Sequence, residues 1–103
     1  MKDYTLIIAH LNAVIAQADR CKKAYYWTPG KNASARRYNE EQNNIAPLTI
    51  EDVNGDTWTV GYTYRETCSN VYASGHYYRN GQKTTLTAVK NLLKRLSAER
   101  GAA

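Results

Sequence analysis

Residues 57–78 read TWTVGYTYRETCSNVYASGHYY, and this stretch decides the fold of the 103-residue chain. In its first half, Trp, Val, Tyr and Tyr at positions 58, 60, 62 and 64 alternate with Thr, Gly and Arg. A period of two in β-branched and aromatic residues is typical of a strand with one apolar and one polar face. The alternation resumes after residues 67–70, which predicts a further strand that runs to about Arg79 and pairs with the first.

The loop at residues 53–55 sets the register of the preceding hairpin. A two-residue Asn-Gly turn would place the apolar residues of the two strands on opposite faces, which a sheet with one buried face forbids. A three-residue loop avoids this and puts Gly55 at the left-handed position that such loops need. The predicted cross-strand pairs are Ile50–Trp58 and Leu48–Val60 in this hairpin, and Tyr62–Gly75 and Tyr64–Ala73 in the next.

Amphipathic helices are predicted on both sides of the strands. From about residue 3 to residue 26, apolar residues recur at spacings of three and four, and Asp3 can cap the start. A second stripe, from Leu86 to Leu96, predicts a helix over about residues 85–99. Between the first helix and the sheet, about residues 28–46 are predicted to be a polar loop. A short helix capped by Ser34 has too little apolar content there to be held firmly.

The chain is therefore predicted to be a single α+β domain of two layers, in the order α-β-β-β-α. Its three-stranded antiparallel sheet, about residues 47–79, carries the N- and C-terminal helices on one face. This order resembles that of double-stranded RNA-binding domains. The lysine cluster at the start of that family's last helix has no counterpart here, where Lys83 and Lys90 are isolated.

Positive charge is segregated along the chain, which has a formal net charge of +5. Residues 20–37 hold six basic residues and no acid, and residues 67–98 hold five and no acid. Such segregation attracts polyanions or an acidic protein surface. The aromatic residues are nine Tyr and two Trp without Phe, and tyrosine suits binding surfaces because its ring is apolar and its hydroxyl is polar.

Several classes of protein are not indicated. Two cysteines are too few for a disulfide scaffold, which favours a reducing cytoplasm, and neither lies in a metal-binding spacing. Polar residues interrupt the apolar N-terminus, so we expect no signal peptide, and no apolar run is long enough for a membrane span. We predict no metal, no cofactor and no catalytic residue, and His10 is interpreted as structural.

Two candidate binding clusters remain. The first interleaves basic and aromatic residues, which suits phosphate contact and base stacking; it comprises Lys22, Lys23, Trp27, Arg36, Arg37 and Tyr38. The second is the polar face of the sheet, where aromatic residues can stack on bases or anchor a protein; it comprises Arg65, Tyr72, His76 and Tyr78. Lys90 and Lys94 on the last helix are further candidates.

The prediction for function is a non-enzymatic basic binding module that engages nucleic acid or a nucleic-acid-handling protein. One alternative is a phage or mobile-element inhibitor that blocks a host defence effector by protein contact, since small Tyr-rich domains without a catalytic signature are similar in style to anti-CRISPR proteins. The second alternative is a small nuclease that depends on His76, although that residue has no carboxylate pair beside it. The long apolar stripe of the N-terminal helix also suggests a homodimer.

Overall fold

A computed structural model describes residues 4–21 and 28–102 of the chain. These residues form α1 (Thr5–Arg20), α2 (Ala33–Asn43), β1 (Ile45–Glu51), β2 (Thr57–Glu66), β3 (Val71–Arg79), β4 (Gln82–Lys83) and α3 (Leu86–Ala102). The strands make one antiparallel sheet in the order β1-β2-β3-β4. The predicted α+β class, with helices toward both ends of the chain, is confirmed.

The predicted register is also confirmed. Ile50 lies opposite Trp58 and Leu48 opposite Val60, while Tyr62 faces Gly75 and Tyr64 faces Ala73. Gly55 has a φ of 84° in the loop between β1 and β2, as a bulge-type loop requires. The sheet therefore has the predicted apolar face, which we call the inner face.

The inner face and the two long helices enclose the core. Its fully buried side chains come from α1, β1, β2 and α3, and each contributes on the order of 1.5–3 kcal/mol through burial; they are Leu11, Val14, Ile50, Trp58, Val60, Val89, Leu92 and Leu96. His10 lies at the edge of this core and donates from Nε2 to the backbone oxygen of Val60 at 2.6 Å. This contact agrees with the structural interpretation of His10.

Two glycines let the sheet pack closely. A Cβ on Gly75 would lie 2.0 Å from the ring of Tyr77, which therefore folds over the glycine on the inner face. A Cβ on Gly61 would lie 2.8 Å from the Cα of Pro47. Pro47 sits where the register of β1 shifts, between Ile45 and Leu48, and a bulge on an edge strand is a position that tolerates proline.

The predicted number of strands was one too few. Asn80 and Gly81 both have positive φ, 51° and 81°, which is the backbone of a type I′ turn. The turn sends the chain back along β3, so that Gln82 pairs with Arg79 and Lys83 with Tyr78. The sequence prediction recognised a turn here but did not extend the ladder beyond it.

The predicted polar loop at about residues 28–46 was wrong over most of its length. Residues 33–43 form α2, and β1 begins at Ile45. The helix is capped by Asn32, whose side chain accepts from the backbone N–H of Ala35, and not by Ser34. The predicted cap Asp3 and the predicted end of the first helix, residues 22–26, lie outside the described residues.

A buried ion pair fastens α3 to the hairpin between β1 and β2. Arg95 donates to a carboxylate oxygen of Asp52 at 2.6 Å, and the Asp52 side chain is fully buried. The other oxygen of that carboxylate accepts from the backbone N–H of Val53. Loss of the arginine would leave a buried carboxylate with one donor, which is far costlier than loss of an exposed pair.

We therefore expect Arg95→Met to lower the free energy of unfolding by about 2–3 kcal/mol, below the full penalty for a buried pair because Arg95 is itself partly exposed. Lys94→Met is the matched control, since Lys94 is an exposed neighbour on the same helix, and it should change stability by less than about 0.5 kcal/mol. Urea denaturation of both variants makes the comparison. Equal stability of the two variants would contradict the role assigned to the Asp52–Arg95 pair.

Candidate functional site

The face of the sheet opposite the core carries polar and aromatic side chains that remain exposed or half-buried. We call it the outer face. β2 and β3 contribute the residues predicted from the alternation, which are Thr57, Thr59, Thr63, Arg65, Tyr72, Ser74, His76 and Tyr78. β4 adds Lys83 opposite Tyr78, and β1 adds Thr49 and Glu51 opposite Thr59 and Thr57.

One end of the outer face forms an open hollow of about 500 Å³. Arg65 lies opposite Tyr72 across the two strands, and Thr63 lies opposite Ser74. Tyr72 is 54% exposed, and its hydroxyl accepts from the side-chain amide of Asn70 at 3.3 Å. The hollow thus combines one cation, one accessible ring and several hydroxyls; its lining residues are Thr63, Arg65, Thr67, Tyr72, Ala73 and Ser74.

His76 is held on the outer face by a hydroxyl and not by a carboxylate. Its Nε2 lies 2.5 Å from Oγ1 of Thr63, which is on the neighbouring strand. A general base is commonly oriented by a carboxylate or carbonyl on its second nitrogen. The other ring nitrogen has no such partner among the described residues, and the contact with Thr63 fixes the position of the ring.

Two cations mark opposite ends of the outer face. Arg65 is exposed beside the hollow, and Lys83 is exposed on β4 next to Tyr78. Neither makes an ion pair within the part of the chain that the structure describes. By contrast Arg79, on the inner side of β3, pairs with Asp56 and lies over the ring of Trp58. Because both side chains are exposed, Arg65 and Lys83 are accessible to an external anion.

Arg36, Arg37 and Tyr38 of the first predicted cluster lie on α2, and a buried carboxylate holds that helix in place. Glu66, at the end of β2, accepts from the backbone N–H of Gly30 at 3.0 Å and from the side-chain amide of Asn39 at 3.0 and 3.1 Å. The hydroxyl of Tyr64 donates to it at 2.6 Å. Burial by itself would raise the pKa of Glu66, but these hydrogen bonds and the nearby charge of Arg36 lower it below its ordinary value.

Side chains of α2 and its C-cap bind the backbone groups of β2 that have no partner in β1. The pairing of β1 with β2 ends at Tyr62. Further along β2, the side-chain amide of Asn44 accepts from the backbone N–H of Tyr64 at 2.8 Å and donates to its C=O at 2.9 Å. The N–H of Glu66 donates to the carboxylate of Glu40 at 2.9 Å. These contacts satisfy the edge of β2 where β1 is absent, and they fix α2 beside the sheet.

A contact with α1 completes the attachment of α2. The buried side chain of Gln17 donates to the backbone oxygen of Asn43 at 2.8 Å. Arg20 donates to the side-chain oxygen of Asn43 at 2.7 Å and also binds Gln17. The C-terminal ends of the two helices are therefore joined by a polar network that a reading of the sequence by segments does not reveal.

The structure separates the predicted site residues into three groups. Arg65, Tyr72, His76 and Tyr78 lie together on the outer face, as predicted. On α2, Arg36 is engaged by the carbonyl of Gly30 at 3.0 Å, whereas Arg37 and Tyr38 are exposed, Tyr38 by 62%. The third group lies on α3, where Lys90 and Lys94 are exposed one turn apart. Lys22, Lys23 and Trp27 lie outside the described residues.

Lys83 and Thr67 are among the residues of the outer face that the sequence analysis missed. Lys83 was not placed on the sheet because the predicted ladder ended at Arg79, although the Asn80-Gly81 dipeptide is a strong hairpin signal. Thr67 lines the hollow from the turn after β2, and no pattern in the sequence marks it. Among the described residues, no hydrogen bond or ion pair joins the two predicted clusters, and we treat them as separate surfaces.

Comparisons of the chain with protein-family models, with curated proteins and with solved structures found no match. Among the described residues, no group of three or more His, Cys, Asp or Glu side chains is arranged to hold a metal ion. None of the helices in the described ranges is long and apolar enough to cross a membrane.

The lowered pKa of Glu66 predicts how the attachment of α2 depends on pH. A carboxylate whose folded pKa lies below its ordinary value of 4.5 stabilises the fold fully above about that pH, and the stabilisation is lost as the pH falls through the folded pKa. We expect Glu66→Gln to be less stable than the wild type at pH 7, with the difference shrinking below about pH 4.5. Urea denaturation at pH 7, 5 and 3 measures it, and a difference that grows as the pH falls would contradict this assignment.

Proposed function

We propose that the protein is a non-enzymatic binding module for single-stranded nucleic acid, and that the outer face of its sheet is the binding surface. One observation carries this proposal. Three rings, those of Tyr72, His76 and Tyr78, share an uncovered sheet face with two cations, Arg65 and Lys83, that have no ion-pair partner among the described residues. Proteins that bind single strands combine aromatic rings, on which bases stack, with cations that contact the phosphates.

The dimensions of the outer face fit a short single strand. Tyr72 and Tyr78 are six residues apart on β3, which corresponds to about 20 Å at roughly 3.4 Å per residue. Arg65 lies opposite Tyr72 and Lys83 opposite Tyr78, so one cation stands at each end. This arrangement supports a site of about four nucleotides, the lower end of the range of about 4–16 that a single OB-fold binds.

A sheet surface favours single strands over duplexes for a geometric reason. Bases can stack on protein rings only when their faces are accessible, as in single-stranded loops and ends, and a paired duplex hides those faces. The face is also broad and shallow, whereas readers of duplex DNA insert a helix or a narrow ribbon into a groove. Phosphate contact then contributes affinity without sequence preference.

We expect the wild type to bind labelled single-stranded DNA or RNA with an affinity that falls with salt, by about 0.7 in log–log slope for each phosphate contacted. Tyr72→Ala should weaken binding by about 1–3 kcal/mol through loss of stacking, and Tyr72→Phe should retain most of it. Arg65→Ala should reduce the magnitude of the salt slope by roughly 0.7. Fluorescence anisotropy over a salt series measures all of these quantities.

A double variant on α2, Arg37→Ala with Tyr38→Ala, is the matched control. It removes one exposed cation and one exposed ring from a different surface and leaves the hydrogen bond of Arg36 intact. Binding that is lost in this variant and kept in the outer-face variants would transfer the site to α2. If the wild type cleaved the labelled strand and His76→Ala abolished the cleavage, the protein would be a nuclease and not a non-enzymatic binding module.

Failure to bind any nucleic acid at low salt would move the proposal to the alternative of an inhibitor that contacts a protein. Homodimerisation through α1 also stays a proposal, with Leu6 as its support because this apolar residue is 83% exposed on that helix. A reducing cytoplasm is proposed as the compartment, supported by the two cysteines, which are unpaired in the structure.

A further inference from the structure

The outer edge of β3 is paired along only part of its length. β4 contacts β3 at Tyr78 and Arg79, and the N–H of Thr84 donates to the carbonyl of Tyr77 at 2.7 Å. From Val71 to His76, no strand lies on the side away from β2 among the described residues. An unpaired strand edge is a template for another strand.

Two backbone hydrogen bonds fix which N–H and C=O groups of β3 face outward. Asn80 donates its N–H to Thr57 on the β2 side at 2.6 Å, and the carbonyl of Tyr77 accepts from Thr84 on the opposite side. Because the backbone groups of successive residues in a strand alternate in direction, the even-numbered residues of β3 bind β2. Val71, Ala73 and Gly75 therefore direct their N–H and C=O groups outward.

We propose that two copies of the chain pair β3 with β3, antiparallel about a two-fold axis at Ala73, to make one continuous eight-stranded sheet. In this register Ala73 pairs with itself and Val71 pairs with Gly75 of the other copy. Three outward-facing residues in each copy, with one donor and one acceptor apiece, then form about six hydrogen bonds. The contact is isologous, so it closes as a dimer.

Charge identifies a second copy as the occupant. Residues 67–78 contain no Asp, Glu, Lys or Arg, so two copies that each carry +5 can approach here without placing like charges against one another. An acidic or basic peptide would find no complementary charge along this edge. The devices that usually protect an edge, which are lysine, proline and an inward-pointing charge, are also missing from the segment 71–76.

The position of β4 fits the proposed register. β4 and Thr84 together occupy the edge of β3 from Tyr77 onward, and the two-fold partner of Tyr77 would be Ser69 in the turn between β2 and β3. The self-paired segment therefore ends before it reaches β4 of the other copy. Small side chains at Ala73, Ser74 and Gly75 lie at the centre of the contact, where the two backbones must approach to about 4.8 Å.

This dimer goes beyond the proposed function and also alters its site. Residues whose numbers sum to 146 pair across the axis, so Tyr72 of the second copy lies beside Ser74. Ser74 lines the hollow that also contains Arg65. The hollow of each copy is then bordered by a ring from the other copy, and the two outer faces join into one aromatic platform.

Hydrogen exchange of the wild type, followed by NMR for individual amides over a series of protein concentrations, tests the proposal without a mutation. The N–H groups of Ala73 and Gly75 should become protected from exchange as the protein concentration rises. Over the same concentrations, the mass measured by sedimentation should rise to twice the 11.7 kDa of one chain. Those of Ser74 and His76, which face β2, should be protected at every concentration and serve as internal controls.

Ala73→Pro supplies the matching variant. It removes an outward-facing N–H that β2 does not use, and proline is tolerated at such edge positions. It should abolish the dimer and keep the circular dichroism of the fold, while Ser74→Ala, which alters only an outer-face side chain, should remain dimeric. A wild type that stays monomeric, or a dimer in which Ala73 and Gly75 exchange freely, would overturn the proposal.

Discussion

The alternation of side chains along β2 is the constraint on which the rest of the molecule depends. Trp58, Val60, Tyr62 and Tyr64 all point to the inner face and are almost completely buried, so both long helices must pack on that side. The residues that alternate with these four along β2 must then face the opposite side of the sheet. The open outer face is therefore a direct consequence of the same pattern that forms the core, and no additional element is needed to create it.

Tyrosine has two different roles in this chain, and only one of them concerns binding. Tyr62 and Tyr64 are core residues whose hydroxyls are used internally, by Cys21 and by Glu66 respectively, and burial is the main reason why the pKa of each hydroxyl is raised. Tyr72 and Tyr38 are exposed. The absence of Phe is therefore partly a property of the core, where a hydroxyl at the end of the ring finds a polar partner.

The register and the outer face could be predicted from the sequence because both follow from a local period of two and one glycine turn. α2 was considered only as a weakly held helix from Ser34 through Gln42, because the contacts that hold it are remote: Glu66 accepts hydrogen bonds from residues 27 and 36 positions earlier. For the same reason Arg36 was assigned to a binding cluster, since a sequence does not show that a cation is occupied by a distant carbonyl. β4 was missed because two residues are too few to give a period.

We propose that the outer face, and not α2 or α3, contacts nucleic acid. The most direct measurement is an NMR titration of the isotopically labelled chain with a short single-stranded oligonucleotide at low salt. We expect the amide signals of Thr63, Tyr72, His76 and Lys83 to shift first and furthest, while those of Arg37, Tyr38 and Lys94 change little. Shifts confined to α2 or α3, or no shift at any residue, would contradict it.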